Sequence, residues 1–308
     1  MTRLTVLTHV WNEEVLLRWW LPHHRRLFDH GVVIDYGSTD RSRELVGELC
    51  PGWEVRSSRN ACFDAHACDA EVMAIEQALP GWKLVLNATE QLFCEDLRAY
   101  LAEIERSGDP VQALGIESLV MIDPAGRRGE PADPGQPLCL QRHHGRADRG
   151  LATRQLRFLH RASDGRYEVG RHATRLVWRR DPELRILWWG WSPYERLRAR
   201  KLQIQQRIPD SDKRAGWGWQ HLVTPEELDQ RYLAEAEQAR DLLEEAWYRE
   251  RLLRLLAREP GVDLVVRDRL LRSIEDAARR ALVHTQGTTS AMEPPLDLRW
   301  EHPERSQP

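Results

Sequence analysis

The sequence predicts an α/β fold: a mostly parallel central sheet with helices on both faces, followed by a C-terminal helical extension. Three observations predict it. Over the first 105 residues, short strand-like runs alternate with amphipathic ones across brief connections. The run 31–36, GVVIDY, is apolar without alternation, as in a strand covered on both sides. Beyond residue 224 the pattern turns helical over long stretches, 225–258 and 264–283.

Residues 4–10 (LTVLTHV) read as the first strand. Asn12, Glu13 and Glu14 form a loop whose acids suit the first turn of a helix. Leu16, Trp20, His24 and Leu27 then recur at helical spacing, and Pro22 predicts a kink or two short helices. After strand 31–36, residues 37–40 (GSTD) make a turn that can cap helix 41–49. Segment 53–57 is a third strand, and 65–79 a helix with Cys68, Val72, Ile75 and Leu79 along one stripe. Segment 82–86 is the fourth strand, and 96–105 is helical. Segment 111–122 is a longer strand, and 123–150, rich in Pro, Gly, Asp and Arg, predicts a loop or lid. Short strands are expected at 155–159, 176–178 and 184–189, and a basic helix at 195–207. Thr224 opens the helix 225–258 as N-cap, with Glu226 and Glu227 in its first turn. Residues 285–308 lose periodicity and read as a disordered tail. The expected organisation is one domain over 1–215, a helical extension over 216–284, and the tail.

The 308 residues are 41% hydrophobic and 30% charged, with a net charge of -3, so no basic field supports nucleic-acid binding. Five cysteines, Cys50, Cys62, Cys68, Cys94 and Cys139, form no Cys-x-x-Cys pair, which argues against a disulfide framework or a zinc knuckle. A reduced, cytoplasmic compartment fits that usage, with peripheral membrane contact left open. The opening MTRLTVLTHVW enters a strand pattern with no apolar signal segment, and no run approaches the ~20 apolar residues of a membrane span. No glycine-rich phosphate loop of the G-x-x-x-x-G-K type is present, which argues against a P-loop ATPase. Thirteen tryptophans serve core packing more readily than ligand stacking.

In a parallel sheet, ligands bind beyond the carboxyl ends of the strands. The polar clusters 9–14, 35–40 and 87–90 all fall there. Asp35 and Asp40 each have two readings, ligand contact or strand-end and cap residue.

VWNEE (10–14) and IDYGSTD (34–40) resemble the corresponding loops of family-two glycosyltransferases. The two adjacent histidines and segment 82–93 resemble the branch with a Trp…Asp-x-Asp-Glu-Phe signature, over roughly the first 125 residues. The resemblance implies a GT-A fold that binds a nucleotide-diphosphate sugar. It implies donor contacts from His9, Asn12, Glu14, Asp35, Ser38, Asp40, Asp69, Asn87 and Thr89. It implies Mn²⁺ or Mg²⁺ at the Asp-x-Asp, since hard cations favour carboxylate oxygens. Here Asn87 and Thr89 stand at the two aspartate positions, and Glu90 keeps its place. Glu90 and His172 are then the expected metal ligands. Metal-independent action, with Arg171, Arg200 or Lys201 on the diphosphate, is the alternative. His172 and Asp123 are the candidate catalytic residues, with Asp164 and Glu168 as other carboxylates for a base.

The expected function is transfer of a sugar from a nucleotide-diphosphate donor to a hydroxyl of a glycan, lipid or small acceptor, with inversion implied by the resemblance. The competing class is a catalytically degenerate nucleotide-sugar or glycan binding protein on the same framework.

Overall fold

The computed structural model describes residues 2–61, 64–147, 156–214 and 222–287. Strands β1 (Leu4–Val10), β2 (His30–Asp35), β3 (Glu54–Ser57) and β4 (Trp82–Val85) run parallel in the order β3-β2-β1-β4. Helices α1 (Glu14–Arg25), α2 (Ser42–Leu49), α3 (Ala65–Glu76) and α4 (Leu97–Arg106) lie between and after them. Alternate residues of a strand point to opposite faces. Val6, Val33 and Leu84 meet Leu17, Leu45 and Leu101 of α1, α2 and α4 on one side. Leu7, Val32, Ile34 and Val85 meet Cys68, Val72 and Ile75 of α3 on the other. Covering on both faces is why 31–34 had to be apolar throughout. Gly31 is needed for space, since a Cβ there would stand 2.0 Å from the Trp53 ring.

Beyond β4 the sheet changes direction. β8 (Arg157–His160) is antiparallel to both β4 and β6 (Ala113–Ile122). β7 (His144–Ala147) and β10 (Arg240–Asp241) continue outward from β6. β5 (Glu90–Phe93) pairs antiparallel with β9 (Trp178–Trp191), which runs parallel to β6. The predicted class is the class observed, α/β with helices on both faces and a helical C-terminal part, and the parallel strands β3-β2-β1-β4 form one half of the sheet.

Several local expectations are corrected. Helix α1 runs unbroken through Pro22, which is exposed, so water can satisfy the carbonyl that loses its partner. Segment 123–143 is irregular as expected, but it is packed, with Leu138, Cys139 and Leu140 buried, and 144–147 is a strand, β7, paired with β6. The two short strands expected at 176–178 and 184–189 are one strand, β9, with register shifts along β6. β5 was not expected. Its Leu92 is gripped by both adjacent histidines: His23 Nε2 donates to the carbonyl at 2.8 Å, and the Leu92 N–H donates to His24 Nε2 at 3.2 Å. His24 Nδ1 then donates to the Trp20 carbonyl, and burial pushes its pKa down to about 3.

Helix α5 (Tyr194–Ile204) and the short α6 (Asp210–Arg214) follow β9. The long helix expected at 225–258 is two, α7 (Pro225–Ala236) and α8 (Ala246–Ala257). The break is tertiary: Leu242 N–H donates to the His143 carbonyl, Asp241 caps Leu243, and β10 joins the sheet. Thr224 caps α7 in a reciprocal box with Glu227, as predicted. Tyr248, Leu252 and Leu255 of α8 and Leu270 of α9 (Leu264–Gly287) share an apolar cluster with Phe93, Leu187 and Trp189. Among the described residues no helix is long and apolar enough to cross a membrane. The expected tail from residue 288, residues 148–150 of the expected loop and residue 155 of the expected strand lie outside the described residues.

Candidate functional site

The carboxyl ends of β1, β2 and β4 form one edge. Asp35 lies opposite Val10, and Leu86 N–H donates to the Leu7 carbonyl, so Asp35 and Asn87 flank the end of β1. With strands about 4.8 Å apart, that separation is on the order of 10 Å. This edge gathers two different constructions.

The first is a clasp between loops 11–14 and 35–42. Gly37 takes φ 78°, a left-handed turn that favours glycine, and Asn12 takes φ 54°. Asn12 N–H donates to Ser38 Oγ at 3.0 Å, and Thr39 N–H donates to Asn12 Oδ1 at 2.8 Å. Glu13 N–H donates to Ser42 Oγ at 2.8 Å. Asp40 accepts from Glu14 N–H at 3.0 Å and Ser42 N–H at 2.9 Å, and Glu14 accepts from Arg41 N–H at 3.0 Å. Expected donor contacts Asn12, Glu14, Ser38 and Asp40 thus bind the opposing loop or its helix start. Asp35, 2% exposed, accepts from Ser38 N–H at 3.1 Å and pairs with Arg43 at 2.8 Å. Buried Glu13 is gripped by Arg200 from α5 at 2.6–2.7 Å, and burial raises its pKa against that pull.

The second is a buried pair of arginines. Arg157 of β8 forks onto Glu90 at 2.8 and 2.7 Å. Its remaining nitrogen donates to the Gly170 and Arg171 carbonyls at 3.0 and 3.2 Å and to His172 Nδ1 at 3.1 Å. Burial, helped by Arg157 and Arg171, takes the His172 pKa down to about 2, so its imidazole is neutral. Glu90 also accepts from the Asn87 N–H at 2.8 Å. Arg171, at φ 60°, donates to Asp69 of α3 and to Asn87 Oδ1 at 3.2 Å, while Gly170 N–H takes the other Asp69 oxygen at 2.7 Å. Thr89 is buried, and its carbonyl accepts from Trp189 N–H at 2.8 Å. His9 meets Tyr36 edge-on at 5.4 Å, and burial and Arg171 hold its pKa well below the usual imidazole range. Among the described residues, two buried side-chain nitrogens here have no hydrogen-bond partner: His9 Nε2 and Arg171 Nε.

This donor set does not fit a divalent cation. Asn87 and Thr89 are neutral, and Glu90 and His172 both face the guanidinium of Arg157. Among the described residues no group of three His, Cys, Asp or Glu side chains could hold a metal ion. The expected metal ligands Glu90 and His172 therefore hold a cation of the protein's own.

Other expected residues lie apart from these two constructions. Asp123, 1% exposed, accepts from Ser192 Oγ at 2.6 Å and Tyr194 N–H at 2.9 Å, with Arg142 at 3.3 Å, and fixes the turn from β9 into α5. Burial raises its pKa. Lys201 lies over the Trp191 ring at 4.4 Å, its pKa lowered to about 8 by burial and by Arg200. Asp164 accepts from Gln77 at 3.0 Å. Glu168 is exposed in the loop that carries Arg171 and His172. Arg157 and Arg43 were missed in the sequence. The signal for Arg157 was a charge set between Leu156 and Phe158 in a strand.

The fold and this edge define an open α/β protein with a polar rim at the carboxyl ends of its parallel strands. No family model and no curated protein matches the chain. Solved structures similar to it include S. aureus TarS 1–349, at 12% identity over 94% of each chain with a TM-score of 0.36. TarS 1–349 in complex with UDP-GlcNAc is similar at 17% identity over 42% of this chain and 37% of that one, TM-score 0.29. Glucosyl-3-phosphoglycerate synthase from Mycobacterium tuberculosis, in complex with Mn²⁺, UDP and glucosyl-3-phosphoglycerate, is similar at 18% identity over 42% and 47%, TM-score 0.28. The match to the longer TarS structure spans 23% of that chain.

Proposed function

We propose that the chain is a glycosyltransferase that seats a nucleotide-diphosphate sugar on the edge formed by β1, β2 and β4. The observation that carries this reading is the convergence of 9–14, 35–40 and 87–90 on one edge, with Asp35 on one flank of β1 and a guanidinium on the other. Asp35, whose carboxylate already takes N–H donors, is assigned to the base or ribose. His9, Asp69, Asn87, Thr89 and Arg171 are assigned to the diphosphate side. Asn12, Glu14, Ser38 and Asp40 shape the loop that Asp35 sits in.

The reaction is a direct displacement. An acceptor hydroxyl oxygen bonds to the anomeric carbon, the bond to the leaving phosphate oxygen breaks with its electron pair, and the hydroxyl proton passes to a base. One attack from the opposite face inverts the centre. Exposed Glu168, in the loop beside this edge, is the assigned candidate for the base. His172, whose pKa is held down at about 2 beside Arg157, is assigned instead to bracing that guanidinium. Asp123, with both oxygens bound, is assigned to holding the α5 turn.

Asp35→Ala tests the reading. Nucleotide affinity measured by calorimetry is expected to fall about tenfold or more, as for loss of a hydrogen bond to a charged group, with the fold retained. Equal affinity in the variant removes Asp35 from the site. The binding-only reading draws on one observation: Asp35, Asp69 and Glu90 are each committed to an arginine. Donor consumption with acceptor extracts separates the two. Binding without turnover of any nucleotide sugar favours the binder.

A further inference from the structure

The geometry points to a metal-free diphosphate site in which Arg157 and Arg171 supply the two positive charges that a divalent ion would bring. The inference rests on the nucleotide-sugar reading of this edge and specifies how it takes the anion.

Charge bookkeeping carries the first half. Two carboxylates and a divalent ion sum to zero. Here Glu90 and Asp69, paired with Arg157 and Arg171, also sum to zero. Adding a divalent ion to this set ahead of the anion would leave an uncompensated double charge in a buried place, which is costly. Glu90 cannot turn to such an ion without abandoning a two-pronged bond to Arg157 and the Asn87 N–H. His172 faces the same guanidinium.

Unsatisfied donors carry the second half. Arg157 has partners on all three nitrogens and acts as the fixed strut. Arg171 bonds Asp69 and Asn87 through its terminal nitrogens, and among the described residues its buried Nε has no hydrogen-bond partner. Among the described residues, His9 Nε2 is a second buried nitrogen without one, in a ring that the charge of Arg171 helps keep neutral. A buried N–H left without an acceptor is costly. Phosphate oxygens are acceptors that meet the need of Arg171 Nε and, in the tautomer protonated there, of His9 Nε2, and guanidinium is the side chain best matched to them. Arg171 is held in a left-handed conformation, in a loop pinned by Gly170 to Asp69 and by Arg157 to the Gly170 and Arg171 carbonyls. The guanidinium is therefore set in place before the ligand arrives, so little ordering cost remains. The ligand class is a nucleoside diphosphate, free or sugar-linked.

Calorimetric titration of the full chain with UDP, ADP, GDP and CDP, in chelator and in excess Mn²⁺, tests this. At least one nucleotide is expected to bind with affinities that agree within about twofold between the two conditions, and Mn²⁺ alone is expected to give no saturable binding. Arg171→Gln is expected to weaken that nucleotide about ten- to hundredfold, with Arg171→Lys falling between, since lysine keeps the charge and loses the fork. Unchanged melting temperature in Arg171→Lys separates lost contact from lost fold. Binding that appears or tightens tenfold only with Mn²⁺ overturns the inference and leaves the nucleotide reading standing. No binding of any nucleotide in either condition overturns both.

Discussion

The two flanks of β1 are built by opposite strategies. On the β2 side, residues 11–14 and 35–42 satisfy one another through short hydrogen bonds between side chains and backbone N–H groups. On the β4 side, distant segments meet through charge: Asp69 from α3, Glu90 from β5, Arg157 from β8 and Arg171 from the loop after it. The first flank is held by many short contacts to backbone N–H groups, with ion pairs of Asp35 and Glu13 at its margins, and is expected to tolerate the loss of single members. The second is a closed charge network in which every partner is needed, because a buried ion left alone is far costlier than a missing cap.

The sharpest way to break that contrast is Arg157→Leu, which strands Glu90 in the interior. About 3–5 kcal/mol of stability is expected to be lost in denaturant unfolding. A loss under 1 kcal/mol, on the scale of an exposed pair, would show that the network is not a structural unit.

Acid titration comes next. His24 must be neutral to accept the Leu92 N–H, and its folded pKa of about 3 lies below the ordinary value of about 6.5. The unfolded chain therefore takes up a proton that the native chain refuses. The stabilisation is present above about pH 6.5 and is lost as the pH falls toward 3, at about 1.4 kcal/mol per pH unit for this group. Chemical unfolding at a series of pH values should show a slope shallower by that amount in His24→Gln. An identical slope would remove His24 from the support of β5.

On the clasp side, Ser42→Ala removes the acceptor of the buried Glu13 N–H, and about 1–3 kcal/mol is expected to be lost. The smallest effect is expected from Asn12→Gly. Glycine relieves the left-handed backbone but loses the bond from Thr39, so the net change in melting should stay within about 1 kcal/mol. A larger loss would mean that the clasp depends on single members, as the charge network does.

The contrast also explains what could be read in advance. The clasp lies within segments whose residues are close to their own strand ends, so NEE and GSTD carry their geometry in their chemistry. Glycine permits the left-handed turn, serine and aspartate take N–H donors, and both faces of the strand are apolar. The arginine network was not legible. The sequence marks Asn87 and Thr89 as poor cation ligands, yet nothing local to 87–90 tells that Arg157, 67 residues away from Glu90, fills the gap. Likewise, 225–258 has helical periodicity throughout, and only pairing of Arg240–Asp241 with the sheet breaks it.

By itself, then, the order of residues determined the α/β class, the parallel half of the sheet, most of the helix starts and the polar character of one sheet edge, because strand and helix periodicity and capping act over a few neighbouring residues. Tertiary structure alone decided the antiparallel half, the grip of His23 and His24 on β5, and which ionised groups neutralise one another. Those outcomes depend on long-range pairing in a low-dielectric interior, where a charge is stable only beside a partner that chain folding delivers from far away.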